Sequence, residues 1–271
     1  MRFVRQRELL QRVDGVRRGS VMRRVRECFG QCNGDPQCWA QCLIEFPSTV
    51  VWPTAVSASD TYHFWVQDYP TGMPIAGAPV MLCSTADPDC KIPITPPGTT
   101  DPSGEVTLPF QNSSISGTEQ SGLVGFLRVA PGGFMPDDYY WTHPLSESQV
   151  YSYTELATVA EWQELAATLN VTLDPTRGIV TVAAYTCPNL AGSQAGIEVK
   201  ISTADKGTQS FTPSGVATNI TDSTGILTFF NVPPGLFQWT TIPKVLGRQA
   251  GTATATAHAG METTILGIVT P

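Results

Sequence analysis

Thr100-Asp101-Pro102-Ser103-Gly104-Glu105-Val106-Thr107-Leu108 is echoed, about one domain length later, by Thr221-Asp222-Ser223-Thr224-Gly225-Ile226-Leu227-Thr228-Phe229. Self-similarity at that period marks two copies of one folding unit. The matched positions are Thr100/Thr221, Asp101/Asp222, Gly104/Gly225 and Thr107/Thr228, with Phe110 answering Phe230 after a slip of one residue. Asp-x-x-Gly predicts a turn, because the Asp side chain can accept from the backbone ahead and Gly accepts positive φ. The run behind it predicts a strand with Ile226, Thr228 and Phe230 on one face and Leu227 and Phe229 on the other.

Further elements recur in the same order. Ala76-Gly77-Ala78-Pro79-Val80-Met81-Leu82 precedes the first echo, and Ala195-Gly196-Ile197-Glu198-Val199-Lys200-Ile201 precedes the second. Val129-Ala130-Pro131-Gly132-Gly133-Phe134 answers to Val232-Pro233-Pro234-Gly235-Leu236-Phe237, and Pro233-Pro234-Gly235 predicts a turn into the next strand. Short strands between Gly/Pro turns predict a β-sandwich. A length of 271 residues allows two cores, and 41% apolar residues exclude disorder throughout.

Taken together, Ala-Gly-x-x-Val, Thr-Asp-x-x-Gly and Val-Pro-Pro-Gly-x-Phe resemble the carboxypeptidase regulatory-like module. That module is a transthyretin-like β-sandwich related in architecture to immunoglobulin domains. The resemblance is closer over 178–271 than over 57–145, where Ser113 to Ser121 reads as an inserted loop. It implies a mainly β chain with two tandem immunoglobulin-like/transthyretin-like sandwiches, at 57–150 and 176–271. Such motifs are turns and strands, so they imply a fold and carry no chemistry.

A linking helix is expected over 151–175. Ser152-x-x-Glu155 has the form of a capping box, and Leu156, Val159, Trp162, Leu165 and Leu169 recur as one apolar stripe. Asp174-Pro175-Thr176-Arg177-Gly178 would stop it.

Residues 1–50 read as an Arg-rich arm followed by a Cys-rich helical hairpin. Residues 1–26 hold nine of the sixteen basic residues, all arginine, against two acids, a net of +7; the rest, with seven basic and twenty-one acidic residues, carries −14. Such an arm suits nucleic acid, an anionic lipid, an acidic partner surface or the acidic body of its own or a neighbouring subunit; the reading favoured is a solvated tail, and no nucleic acid partner is expected. Cys28, Cys32, Cys38 and Cys42 lie about one helical turn apart within each pair. Nested disulfides Cys28–Cys42 and Cys32–Cys38 are favoured over zinc, whose knuckles commonly use C-x2-C. Cys83 and Cys90 bracket a turn-rich loop that a local disulfide could close, and Cys187 reads as a buried apolar side chain. No apolar run of signal-peptide length follows the basic start, and no transmembrane segment is expected.

Catalytic patterns are sparse. His63, His143 and His258 fall in no H-E-x-x-H, and there is no G-x-S-x-G elbow or phosphate-binding Gly loop. Tyr139, Tyr140 and His143 superficially suggest the iron site of intradiol dioxygenases, but the closely spaced second histidine is missing. The collagen-adhesin B-type sandwich has similar turns, yet Lys91, Lys200, Lys206 and Lys244 lie outside the expected first strand, which disfavours Lys–Asn crosslinking. The expectation is a non-enzymatic, secreted or cell-surface structural and interaction protein without cofactor or metal, partnered by another protein or by itself. The alternative is a carbohydrate-binding surface module, with Tyr139, Tyr140, Trp141 and Trp239 as ligand-binding candidates.

Overall fold

Period-two alternation builds the first sandwich. In β1 (Ser59–Asp68) the side chains of Tyr62, Phe64 and Val66 are buried, while His63 and Trp65 lie on the other face. The structure, a computed structural model, describes residues 59–111, 125–141, 150–186, 195–244 and 251–269, all within a unit spanning 49–270. The Arg-rich arm, the Cys28/Cys32/Cys38/Cys42 hairpin, the Ser113–Ser121 insertion, His143 and Cys187 lie outside the described residues.

Fourteen strands are described, seven in each half. The first half holds β1, β2 (Pro79–Ser84), β3 (Gly98–Thr99), β4 (Glu105–Gln111), β5 (Gly125–Val129), β6 (Asp137–Trp141) and β7 (Val150–Leu156). The second holds β8 (Gly178–Thr186), β9 (Ile197–Ile201), β10 (Gln209–Phe211), β11 (Ile226–Val232), β12 (Gly235–Pro243), β13 (Gly251–Ala257) and β14 (Glu262–Val269). Helix α1 (Val159–Thr168) lies between them.

Topology repeats with the sequence. The order β4-β1-β7 recurs as β11-β8-β14, antiparallel then parallel in both, and the antiparallel trio β2-β5-β6 recurs as β9-β12-β13. One strand departs from the repeat: β3 pairs with β2, whereas β10 pairs with β11.

The halves do not form two separate pairs of sheets. β6 runs parallel to β14, with Asp137 opposite Glu262 and Trp141 opposite Leu266, so a single eight-stranded sheet, β10-β11-β8-β14-β6-β5-β2-β3, passes through both. All five residues of β6 are buried because both of its faces are covered. Tyr139 and Trp141 enter the core with Phe64, Leu108 and Leu127, while Tyr140 joins Phe126, Trp239 and Phe237 on the opposite side.

The repeated turns take the same hydrogen bonds in both halves. Asp101 Oδ1 accepts from the Ser103 N–H (2.8 Å) and Asp222 Oδ1 from the Thr224 N–H (2.8 Å), with Gly104 at φ 78° and Gly225 at φ 71°. Just before each Asp, a buried Thr bonds back to the preceding strand: the Ala78 N–H donates to Thr100 Oγ1 (2.8 Å) and the Ile197 N–H to Thr221 Oγ1 (3.1 Å). The two threonines therefore hold β2 and β9 to the turn, which explains why Thr belongs to the echo.

Three expectations need correction. Residues 152–156 belong to strand β7, not to a helix: Ser152, Thr154 and Leu156 are buried on one face, and the strand pairs in parallel with β1. The capping box is Thr158/Glu161, where Thr158 Oγ1 accepts from the Glu161 N–H and the Glu161 carboxylate from the Thr158 N–H. Of the apolar stripe, Trp162, Leu165 and Leu169 pack with Phe211 and Phe230, whereas Val159 is exposed.

Secondly, Phe230 does not answer Phe110. A bulge between Phe229 and Val232 leaves Asn231 at φ 58°, turns Phe230 toward Trp162 and puts Val232 into the core. Thirdly, Pro131-Gly132-Gly133 lies between β5 and β6, while Pro233-Pro234 lies between β11 and β12, so these turns are not equivalent.

Candidate functional site

Charged side chains concentrate where the two halves join. Asp137 and Asp138 are consecutive on β6 and therefore point to opposite faces of the sheet, and both are fully buried.

On one face, Asp137 sits beside Glu262 of β14 in register. Asp137 accepts from Thr154 Oγ1 (2.8 Å) and from the Thr264 N–H (3.1 Å), and Glu262 accepts from Thr181 Oγ1 (2.8 Å). Burial pushes Asp137 up to about 7 and Glu262 well above its ordinary range; the charge of Asp138 raises Asp137 further, and that of Asp137 raises Glu262. Both carboxyl groups are sealed from solvent, and burial favours their neutral forms.

On the other face, Arg128 of β5 grips Asp138 with two bonds, Nε to Oδ1 and Nη2 to Oδ2, both 2.7 Å. Burial raises the Asp138 carboxyl, and the Arg128 fork opposes that rise. Arg128 also donates to the carbonyls of Asp89 (2.6 Å) and Pro88 (3.0 Å), and its guanidinium lies 5.7 Å from the Phe126 ring. The Pro88 carbonyl additionally meets His258 Nε2 at 3.1 Å, from the turn between β13 and β14. Cys83 and Cys90 are disulfide-bonded and close the loop that carries Pro88 and Asp89. Loop, guanidinium and imidazole thus clasp the first half to the second.

The four proposed stacking aromatics are elsewhere than a sugar would need them. Tyr139, Tyr140, Trp141 and Trp239 are between 2% and 5% exposed. Tyr139 Oη bonds Ser152 Oγ, and the Thr256 N–H donates to Tyr140 Oη (3.4 Å), so their polar ends serve the interior. These positions lie on strands covered on both faces or facing a core, a condition that turn-proximity could not reveal. Conversely, sequence reasoning passed over Arg128, Asp137, Asp138 and Glu262, and weighed His258 only against catalytic motifs. The available signal was two adjacent acids opening the aromatic run Tyr139-Tyr140-Trp141.

Elsewhere, an open cleft of about 340 Å³ between β9 and β10 is lined by Val199, Ile201 and Phe229 with Lys200 and Asn219. Among the described residues, no group of three or more His, Cys, Asp or Glu is placed to hold a metal ion, and no helix is long and apolar enough to cross a membrane.

No protein-family model matches the chain, and no curated protein matches it. Among solved structures it is similar to the Bacillus anthracis TIE protein (10% identity, TM-score 0.27), covering 78% of this chain and 33% of that one. The chain therefore spans about a third of that protein's length. It is also similar to the shaft pilin SpaA from Lactobacillus rhamnosus GG (11% identity, TM-score 0.28, covering 76% and 96%). A Streptococcal ancillary pilin matches at 12% identity and TM-score 0.26, covering 80% of this chain and 64% of that one. At this level the likenesses carry no argument, and the architecture above rests on the chain's own strand pairing.

Proposed function

We propose that this chain is a non-enzymatic structural and interaction protein, secreted or held at a cell surface, that associates with further copies of itself. The observation that carries this reading is the β6–β14 seam, which joins one sheet from each half into a continuous eight-stranded sheet. The buried charges at the junction, Asp137, Asp138, Arg128 and Glu262, are engaged in holding that sheet together. A rigid double sandwich of this kind suits a load-bearing or spacing element. The Cys83–Cys90 bond favours an oxidising compartment.

Light scattering of the full chain over a range of concentrations, with non-reducing mass spectrometry, tests it. The expected result is a mass above that of one chain that rises with concentration. A single-chain mass at every concentration would overturn the self-association. Enzymatic turnover lost in a His63→Ala or His258→Ala variant would overturn the non-enzymatic reading.

A further inference from the structure

Strand β13 is covered at one end of its outer edge and open at the other. Beside it, the Gln238 N–H of β12 bonds Ser202 Oγ and the Gln238 carbonyl takes the Ser202 N–H, so Gln238 turns toward β9 and does not exchange backbone bonds with Thr254 opposite it. By the alternation of an antiparallel ladder, Ala253 and Ala255 bond to β12, and the N–H and C=O groups of Thr252, Thr254 and Thr256 point away from it. At Thr256 those outward groups are taken: the N–H donates to Tyr140 Oη (3.4 Å) and the carbonyl accepts from Thr263 Oγ1 (3.1 Å). Among the described residues, none bonds the outward backbone groups of Thr252 or Thr254, and both of these residues are exposed. We propose that this edge pairs with the same edge of a second copy, antiparallel about a two-fold axis, so that the β9-β12-β13 sheets of two chains become one continuous sheet.

The open groups fix the register. A two-fold contact pairs residue i with j and j with i. The pairing that engages both open residues of both chains sets Thr252 opposite Thr254 of the second copy, with the axis passing between the two copies of Ala253. Each Thr252–Thr254 pair then exchanges both of its N–H···O bonds, and Ala253 meets its own counterpart in the closer, non-bonded spacing. Centring the contact on Thr254 would set Thr252 against Thr256, whose groups Tyr140 and Thr263 already hold. Centring it on Thr252 would run Thr254 past the first residue of the strand, Gly251. On the exposed face the threonines come side by side as cross-strand Thr–Thr pairs.

The strip suits a second copy in charge as well as in hydrogen bonding. Gly251–Ala257 contains no charged residue and no Pro, the residues that ordinarily guard an edge, and the neighbouring strand Gly235–Pro243 is uncharged too. The whole chain carries −7, so this strip lets two acidic molecules meet where no like charges lie opposite each other. The bonded stretch is short, so the pair dissociates on dilution, and salt favours it by screening the repulsion that remains.

The proposal rests on the self-association reading, and the two fail separately. Thr254→Pro removes an outward N–H while sparing the bonds to β12. The double variant Thr252→Lys/Thr254→Lys sets like charges opposite each other across the axis, and serves if the proline variant loses its near-UV circular dichroism. Sedimentation of the full chain is expected to reach a two-chain mass at high concentration for the parent and to stay at a single-chain mass for either variant. Ala253→Cys places a thiol of each copy at the axis, where paired Cα atoms about 4.5 Å apart lie within disulfide reach. Non-reducing peptide mapping of that variant after oxidation is expected to find a bond joining the two substituted positions. Assemblies that persist in both edge variants overturn the β13 contact while leaving self-association standing. Pairs that form without the crosslink at position 253 overturn the symmetric register. A parent that stays a single chain at every concentration overturns both readings.

Discussion

Asp137 makes the protein's stability depend on pH in the direction opposite to that of a salt-bridged carboxylate. Its folded pKa is raised to about 7 by burial, whereas an unfolded Asp releases its proton near pH 4. Between those values the native state binds more protons than the unfolded one, so stability falls as pH rises from about 4 to about 7 and levels off above. The change is on the order of a few kcal/mol, with Glu262 adding in the same sense. Thermal melts of Asp137→Asn are expected to show a flatter decline over that range; an unchanged slope would refute the assignment. Glycines in the repeated turns differ in the same concrete way. Gly77 and Gly104 both have positive φ, but a Cβ on Gly104 would lie 2.6 Å from the Val66 carbonyl oxygen, while one on Gly77 would meet nothing within 4 Å. Gly77→Ala should cost about 1 kcal/mol from the left-handed backbone, and Gly104→Ala clearly more, by urea denaturation.

Helix α1 and strand β7 show how one short pattern can be read in two places. Both Ser152-x-x-Glu155 and Thr158-x-x-Glu161 satisfy the capping-box form. The first lies in Val150–Leu156, whose alternate residues fill the space against β1, and tertiary burial there overrides a local helix signal. Only the second leaves its Thr side chain to satisfy a helix N–H. Thr158→Ala should therefore destabilise the protein by about 1 kcal/mol, read from the denaturation midpoint at unchanged slope. No change would mean that packing of Trp162 and Ala166 alone holds the helix.

Eight of the described strands, four from each half, share one sheet, so the halves are coupled through β6, β14 and the Arg128 clasp. Separating them would expose Asp137, Asp138 and Glu262 and both sides of the Tyr139-Tyr140-Trp141 run. Calorimetry should give one cooperative transition for this body, with the calorimetric and van't Hoff enthalpies equal. Two resolved transitions would show that the seam does not couple the halves.

The sequence by itself determined the repeat, the turns and the strands beside them. Asp101, Gly104, Asp222 and Gly225 act through bonds to residues two to four positions away, so their meaning is local and legible. Tertiary structure decided what those strands met. Tyr140 faces Thr256 across the seam, Asp138 meets His258, and Asp137 meets Glu262 only because β6 and β14 lie side by side. Partners so distant along the chain leave no periodic signal, and a residue's burial on both faces depends on a second sheet that its own strand does not encode. The same reason misdirected the reading of Tyr139, Tyr140, Trp141 and Trp239, whose aromatic rings suit a surface platform and a core equally until the neighbouring strands are in place.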